Sequence, residues 1–259
     1  MKTFVTRSLL WFALANFFLL VSAAQQAPAN PPASPQPQPA GQSKDARDPK
    51  TPENIPGTSN DRLFYALPNF LTLENSGNVP PLTASEKFKV VARGAFDYIQ
   101  IPWYTALAGI SQAENSEPGY GQGAEGYGKR LGAAAADGTI ENFMVGAVLP
   151  SLLRQDPRFF QSSQGGFFHR TGYAVSRIFI TRGDSGHHQF NFSEIFGSAM
   201  SAAISTYSYH PHADRTLANT TSVWGTQVGY DTITIVVKEF WPDLRRALGK
   251  KRRPPSNPG

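Results

Sequence analysis

Two stripes of opposite character run along residues Asn191 to Ser205, and they limit the fold more than any other feature of the chain. Ile195, Phe196, Ala199, Met200, Ala203 and Ile204 recur at helical spacing as a bulky stripe. Gly197, Ser198, Ser201, Ala202 and Ser205 form a second face of small residues. Steps of three and four place each set on one side of an α-helix, which strand periodicity would not do. Asn191, with Glu194 three residues on, supplies a helix start. A helix with one bulky and one small face can be packed on both sides, so this one is expected at the centre of a helical domain.

Other segments read the same way. Thr83-Ala84-Ser85-Glu86 is a capping box. Phe88, Val91, Ala92, Ala95, Phe96 and Ile99 follow on one face, until Pro102 breaks or kinks the helix. Trp103 to Ala113 continues it as a second piece. Residues 117–123 are a loop by their Gly and Pro content. A further helix carries Gly128, Gly132 and Ala136, then Ile140, Phe143, Met144, Ala147 and Val148; Pro150 bends it and Asp156-Pro157 ends it. Phe167 to Ile180 forms another, with Phe168, Val175, Ile178 and Phe179 apolar. The last runs from Thr216 to Phe240, with Val223, Trp224, Val228, Ile235, Val236 and Phe240 in rhythm. The expected class is mainly α: one compact domain of about five long helices. A small outer-membrane β-barrel is the alternative, because the chain is Gly- and aromatic-rich and Tyr230 to Val237 also reads as a strand. Barrels repeat alternating segments of about ten residues, and the spacing here is helical instead.

The chain begins as exported chains do. Lys2 and Arg7 precede an uncharged, mostly apolar run from Ser8 to Val21, shorter than the roughly 20 residues that span a bilayer comfortably. Val21 and Ala23, or Ser22 and Ala24, fit the small-residue rule for cleavage. An uncleaved anchor is the other reading. Residues 1–24 are thus expected to be a signal peptide and 25–60 a Pro-rich disordered linker. Pro31-Pro32 and Pro35, Pro37 and Pro39 favour extended polyproline II. The helical domain is expected at 61–249 and a basic disordered tail at 250–259. No cysteine is present. Disulfides and an N-terminal lipid-modified Cys are therefore excluded, and the core alone must hold the fold. The formal charge of +5 is unevenly placed. Lys2 and Arg7 sit in the leader, while Lys250, Lys251, Arg252 and Arg253 sit in the tail, so the body between is near neutral. That argues against nucleic acid as a partner. It makes the tail a contact for anionic lipid or polymer phosphates.

Chemistry-bearing motifs are few. Gly183-Asp184-Ser185-Gly186 resembles the nucleophile segment of chymotrypsin-like proteases, but His187 stands where that family needs a Gly. A base and an oxyanion hole are also missing, so a polar turn is expected. His187-His188 and His210-Pro211-His212 are expected as exposed loop histidines, without a metal site: structural zinc usually recruits Cys, and no helix carries His-Glu-x-x-His. No cofactor is expected. Charges inside the apolar helices stand out more. Arg130, Asp137, Glu141, Arg177, Glu194 and Asp231 are expected to form a buried polar network, because buried charges must be paired. A carboxylate cluster in a cleft doing acid–base chemistry is the other reading. Gly128 and Gly132, Gly197 and Ser201, and Gly225 and Gly229 lie one turn apart and are expected where helices approach closely.

Residues Tyr127–Asp137, Pro150–Phe160 and Glu239–Asp243 resemble segments of a family of uncharacterised exported bacterial proteins, over roughly residues 60 to 245. The resemblance implies a bacterial envelope setting and lends no catalytic residues. The combined expectation is an exported, periplasmic or outer-membrane-associated envelope protein with a non-catalytic structural or interaction role. An envelope enzyme acting on lipid or cell-wall material through the carboxylates is the runner-up.

Overall fold

The structure, a computed structural model, describes residues 55–74 and 79–251, and of 249–251 the backbone alone. The expected leader, most of the linker, and Arg252 and Arg253 lie outside the described residues. The chain divides into two units: residues 1–54 with 242–259, and residues 55–241. The described part of the first is the end of the last helix, where Arg246 pairs with Asp243 one turn away.

The second unit is mainly helical. Its helices are α1 (Ala84–Ala95), α2 (Gln100–Glu114), α3 (Gly123–Phe143), α4 (Leu149–Leu153), α5 (Phe167–Phe179), α6 (Phe192–Ser208) and α7, which runs over Leu217–Lys251. Strands are two to four residues long. Arg62–Leu63 (β1) pairs with Leu67–Pro68 (β2). Thr72–Leu73 (β3) runs parallel to Phe159–Phe160 (β5). Gln155–Asp156 (β4), Ile180–Gly183 (β6) and His188–Phe190 (β7) form an antiparallel sheet. No barrel closes among the described residues.

The capping box at Thr83 forms: its hydroxyl accepts the Glu86 N–H at 3.3 Å, and the Glu86 carboxylate accepts the Thr83 N–H at 2.8 Å. The buried face of α1 is turned from the expected one. Lys87, Val90, Val91 and Ala95 are inside, whereas Phe88 and Phe96 are exposed and rest on the ring of Phe143. The break also comes earlier than Pro102. α1 stops at Ala95, and Pro102 sits in the first turn of α2, where its missing N–H costs little. Between α3 and α4, Met144–Val148 forms one π-helical stretch just ahead of Pro150, and Arg154 ends α4 in the left-handed region.

Packing centres on α3, which touches α1, α2 and α6. The helix at Asn191–Ser205 is therefore not sandwiched as its two stripes imply. α6 packs its small face on α3, α4, α5 and the π-helical stretch, and leaves its bulky face outside. Ile55, Phe70, Leu82, Val90, Val91 and Ala147 make one apolar cluster. The packed chain thus begins by Ile55, ahead of the composition change at Asp61. Buried ion pairs pin the periphery. Lys87 meets Asp184 at 2.8 Å, Arg158 meets Asp156 at 2.6 Å, and Arg170 meets Glu239 at 2.8 Å. Asp184 is thereby a structural counter-ion in the turn between β6 and β7, while Ser185 beside it is exposed.

Candidate functional site

α6 and α7 run antiparallel. Glu194, early in α6, hydrogen-bonds Asp231, near the middle of α7. One turn further along α6, the Trp224 indole N–H donates to Ser198 Oγ at 3.0 Å. Glu194, Ser198, Ser201 and Ser205 recur on one face of α6 and are all buried. Thr220 and Gln227 are buried on α7. The result is a polar seam between helices. Glu194 Oε1, Ser201 Oγ and Gln227 Oε1 are buried without a hydrogen bond inside the protein.

Ionisable groups gather at one end of this seam. Burial pushes the Glu194 carboxyl well above the usual carboxylate range, aided by the charge and hydrogen bond of Asp231 and by Glu141. Glu141 of α3 is pushed up to about 8, first by burial and then by Asp231 and Asp137. Burial also raises Asp231, against the Glu194 hydrogen bond and the Lys238 charge. Lys238 is lowered by burial, partly offset by Asp231 and Glu194. Acids that would repel one another as anions are held together with one ammonium, so the neutral carboxyl form is favoured.

A second group lies four residues back along α3. Asp137 accepts the Tyr209 hydroxyl at 2.5 Å and faces His210 Nε2 at 3.7 Å. Ser205 Oγ lies 3.0 Å from the same ring nitrogen. Burial alone would lower the His210 pKa, but Asp137, Glu117 and Asp214 outweigh it and the net shift is upward. Ser205, His210 and Asp137 do not make a catalytic relay. A relay needs the carboxylate and the hydroxyl on opposite ring nitrogens; here both sit at Nε2, while Nδ1 is buried without a partner. His210 is also a correction to the expectation of exposed loop histidines, because it is buried behind Tyr120 and Tyr209. Among the described residues no group of three or more His, Asp and Glu is placed to hold a metal ion.

The six expected network residues thus separate. Glu141, Glu194 and Asp231 meet, and Asp137 touches them electrostatically through Glu141. Arg130 is elsewhere: its guanidinium donates to the carbonyls of Gly121 at 2.7 Å and Glu117 at 2.8 Å and to Gln112 Oε1 at 2.6 Å, tying down the loop before α3. Arg177 stands on α5 over the ring of Tyr173, beside Ser176 and His188. The glycines separate too. A Cβ on Gly128, Gly132, Gly225 or Gly229 would meet open space, so helices do not close there. Gly197 and Ser201 do lie at a close approach: a Cβ on Gly197 would lie 3.2 Å from Val145 of the π-helical stretch, and Ser201 is fully buried. Further close approaches between helical segments fall at Gly138, against Tyr104, and Gly146, against Val91. Lys250 and Lys251 end α7; their side chains are not described.

Away from the seam, several elements expose large apolar side chains. On α6, Phe192, Phe196, Met200, Ile204 and Tyr207 are exposed, Phe196 by 52%. On α2, Ile101 is 70% exposed at the helix start, and Trp103 and Ile110 are exposed together on the opposite side. Phe168, Phe179, Leu152 and Leu217 add to this on other elements. The chain matches no protein-family model, no curated protein and no solved structure.

Proposed function

We propose that this chain is an exported bacterial cell-envelope protein with a structural or interaction role, associated with a membrane rather than acting as an enzyme. The observation that supports this most is the placement of its carboxyl groups. Glu141, Glu194 and Asp231 face one another and Lys238 between three helices. An acid–base catalyst must reach a substrate proton. These groups are spent on helix–helix contacts. The leader and the resemblance to exported proteins support the envelope location, and the cations 250–253 suit anionic lipid or polymer.

A second reading, an enzyme acting on lipid or cell-wall material, draws on the hydrogen bond between Glu194 and Asp231 and on their raised pKa values. Such pairs also serve as acid and base. Glu194→Gln and Asp231→Asn discriminate. In a structural role the wild type shows no turnover of phospholipid or peptidoglycan, and both variants, which mimic the neutral carboxyl, keep their helix packing and flatten the fall of the melting midpoint with rising pH. In an enzyme, phospholipid or peptidoglycan turnover by the wild type is lost in variants that keep their melting midpoint. Location is tested separately by fractionating cells and sequencing the N-terminus. A mature end near Ala24 or Gln25 is expected, and an intact cytoplasmic chain starting at Met1 would sink the envelope reading.

A further inference from the structure

One helix of this domain partitions its residues backwards for a chain surrounded by water, and two others carry almost no charge. α6 buries Ser198, Ser201 and Ser205 and exposes Phe196, Met200 and Ile204. Its one charged residue, Glu194, is inside. α7 carries one charged residue between Leu217 and Val237, Asp231, and that side chain joins Glu194 in the seam. α2 has no charge from Gln100 to Ala113 and exposes Ile101, Trp103 and Ile110. Along the sequence, charges return outside these stretches: Asp97 before α2 and Glu114 at its end, Asp214 and Arg215 between α6 and α7, and, inside the fold, Lys238 and Glu239 after Val237. The exposed faces of α2 and α6 therefore carry no charge along these stretches.

We propose that the exposed faces of α2 and α6 lie against lipid acyl chains, with the polar seam turned away from them. This deepens the envelope reading and rests on it. Small polar residues between helices, bulky apolar residues outward and ionisable groups turned inward are what a hydrocarbon surrounding selects. A water-facing helix selects the reverse. The apolar faces belong to different helices that both pack on α3. Acyl chains cover both without needing a surface shaped to each, whereas a second copy must match both at once. Among the described residues no helix is long and apolar enough to cross a membrane, so the contact is a seating at acyl-chain depth. Mean hydropathy is blind to such a helix, because it averages the buried serines with the exposed phenylalanines.

The test uses the chain as processed by its host, purified in detergent and mixed with uncharged phosphatidylcholine vesicles whose acyl chains carry bromine. The uncharged headgroup removes the pull of the basic tail. The wild type is expected to float with the vesicles and to have its Trp103 fluorescence quenched, an effect lost in Trp103→Phe. Phe196→Glu with Met200→Glu, on the same N-terminus, should weaken partition roughly a hundredfold per charge while melting as the wild type does in detergent. A wild type that stays monodisperse without detergent and unquenched by bromine overturns the proposal. So does a discrete oligomer that does not float and shields Trp103 from iodide, which would make a second copy the cover. An exported chain that never floats sinks only this proposal. A floating chain found in the cytoplasm sinks only the envelope reading.

Discussion

The carboxyl of Glu141 titrates near 8 because burial and the charges of Asp231 and Asp137 all favour its neutral form. Its ordinary value is 4.5. Between these values the folded chain holds a proton that the unfolded chain releases. Stability from this group is complete below about 4.5 and is lost as pH rises through about 8. Glu194 and Asp231, also raised, act in the same direction; Lys238, lowered by burial, runs the other way. The thermal midpoint should therefore fall from mildly acidic to mildly alkaline buffer. Glu141→Gln, which mimics the neutral acid, should flatten that slope. Equal slopes in the two proteins would show that Glu141 is ionised in the fold. A second residue-scale expectation concerns Glu239, which is fully buried, pairs with Arg170 at 2.8 Å and accepts the N–H groups of Ser162 and Ser163. Glu239→Gln leaves the Arg170 charge inside without its anion, a loss of about 3–5 kcal/mol in urea unfolding. Arg246→Ala, at an exposed pair, should change stability by less than about 0.5 kcal/mol.

Helix existence was legible in the sequence, while the orientation of each helix was not. The capping box at Thr83, the start at Asn191 and the interruptions near Pro102 and Pro150 are local chemistry, and each lies near an element boundary. Which face turns inward depends on what surrounds the helix. The bulky stripe of α6 and the aromatics of α1 read as core because periodicity assumes water outside. The seam was half legible: Glu141, Glu194 and Asp231 stood out as charges in apolar helices. Lys238, two turns beyond Asp231, carried the same signal at helical spacing, whereas His210 beside Pro211 looked like loop. Glycine spacing misled for a related reason, since a small residue marks close approach only where a neighbour arrives. Gly138 has such a neighbour: an added Cβ would lie 2.5 Å from the Tyr104 hydroxyl. Gly138→Ala should lower the thermal midpoint. Gly229→Ala meets open space, so helix propensity decides and stability should rise by roughly 0.8–1.0 kcal/mol. A drop at Gly229, or no change at Gly138, would contradict the packing described here.

At the scale of the whole molecule, the unit from 55 to 241 is closed by its last residues. Trp241 is fully buried, with the rings of Phe64 and Tyr65 against it at 5.2 and 5.7 Å. Those two residues sit at positive φ, 53° and 62°, in the turn between β1 and β2. Aromatic residues rarely hold that conformation unless their surroundings impose it. Phe240 stacks on Phe167, and Glu239 anchors Arg170 and the loop after β5. The partners at Phe64, Tyr65, Ser162 and Arg170 are all made before residue 239 leaves the ribosome. Stalled nascent chains ending at 238 should accordingly be cut by protease throughout 55–238, and chains extended well past 241 should resist. On that outcome the key to the lock is cut last and the chain stays threadable for the whole of its synthesis, which is the condition a protein must meet if it is to pass through a narrow channel before it takes shape.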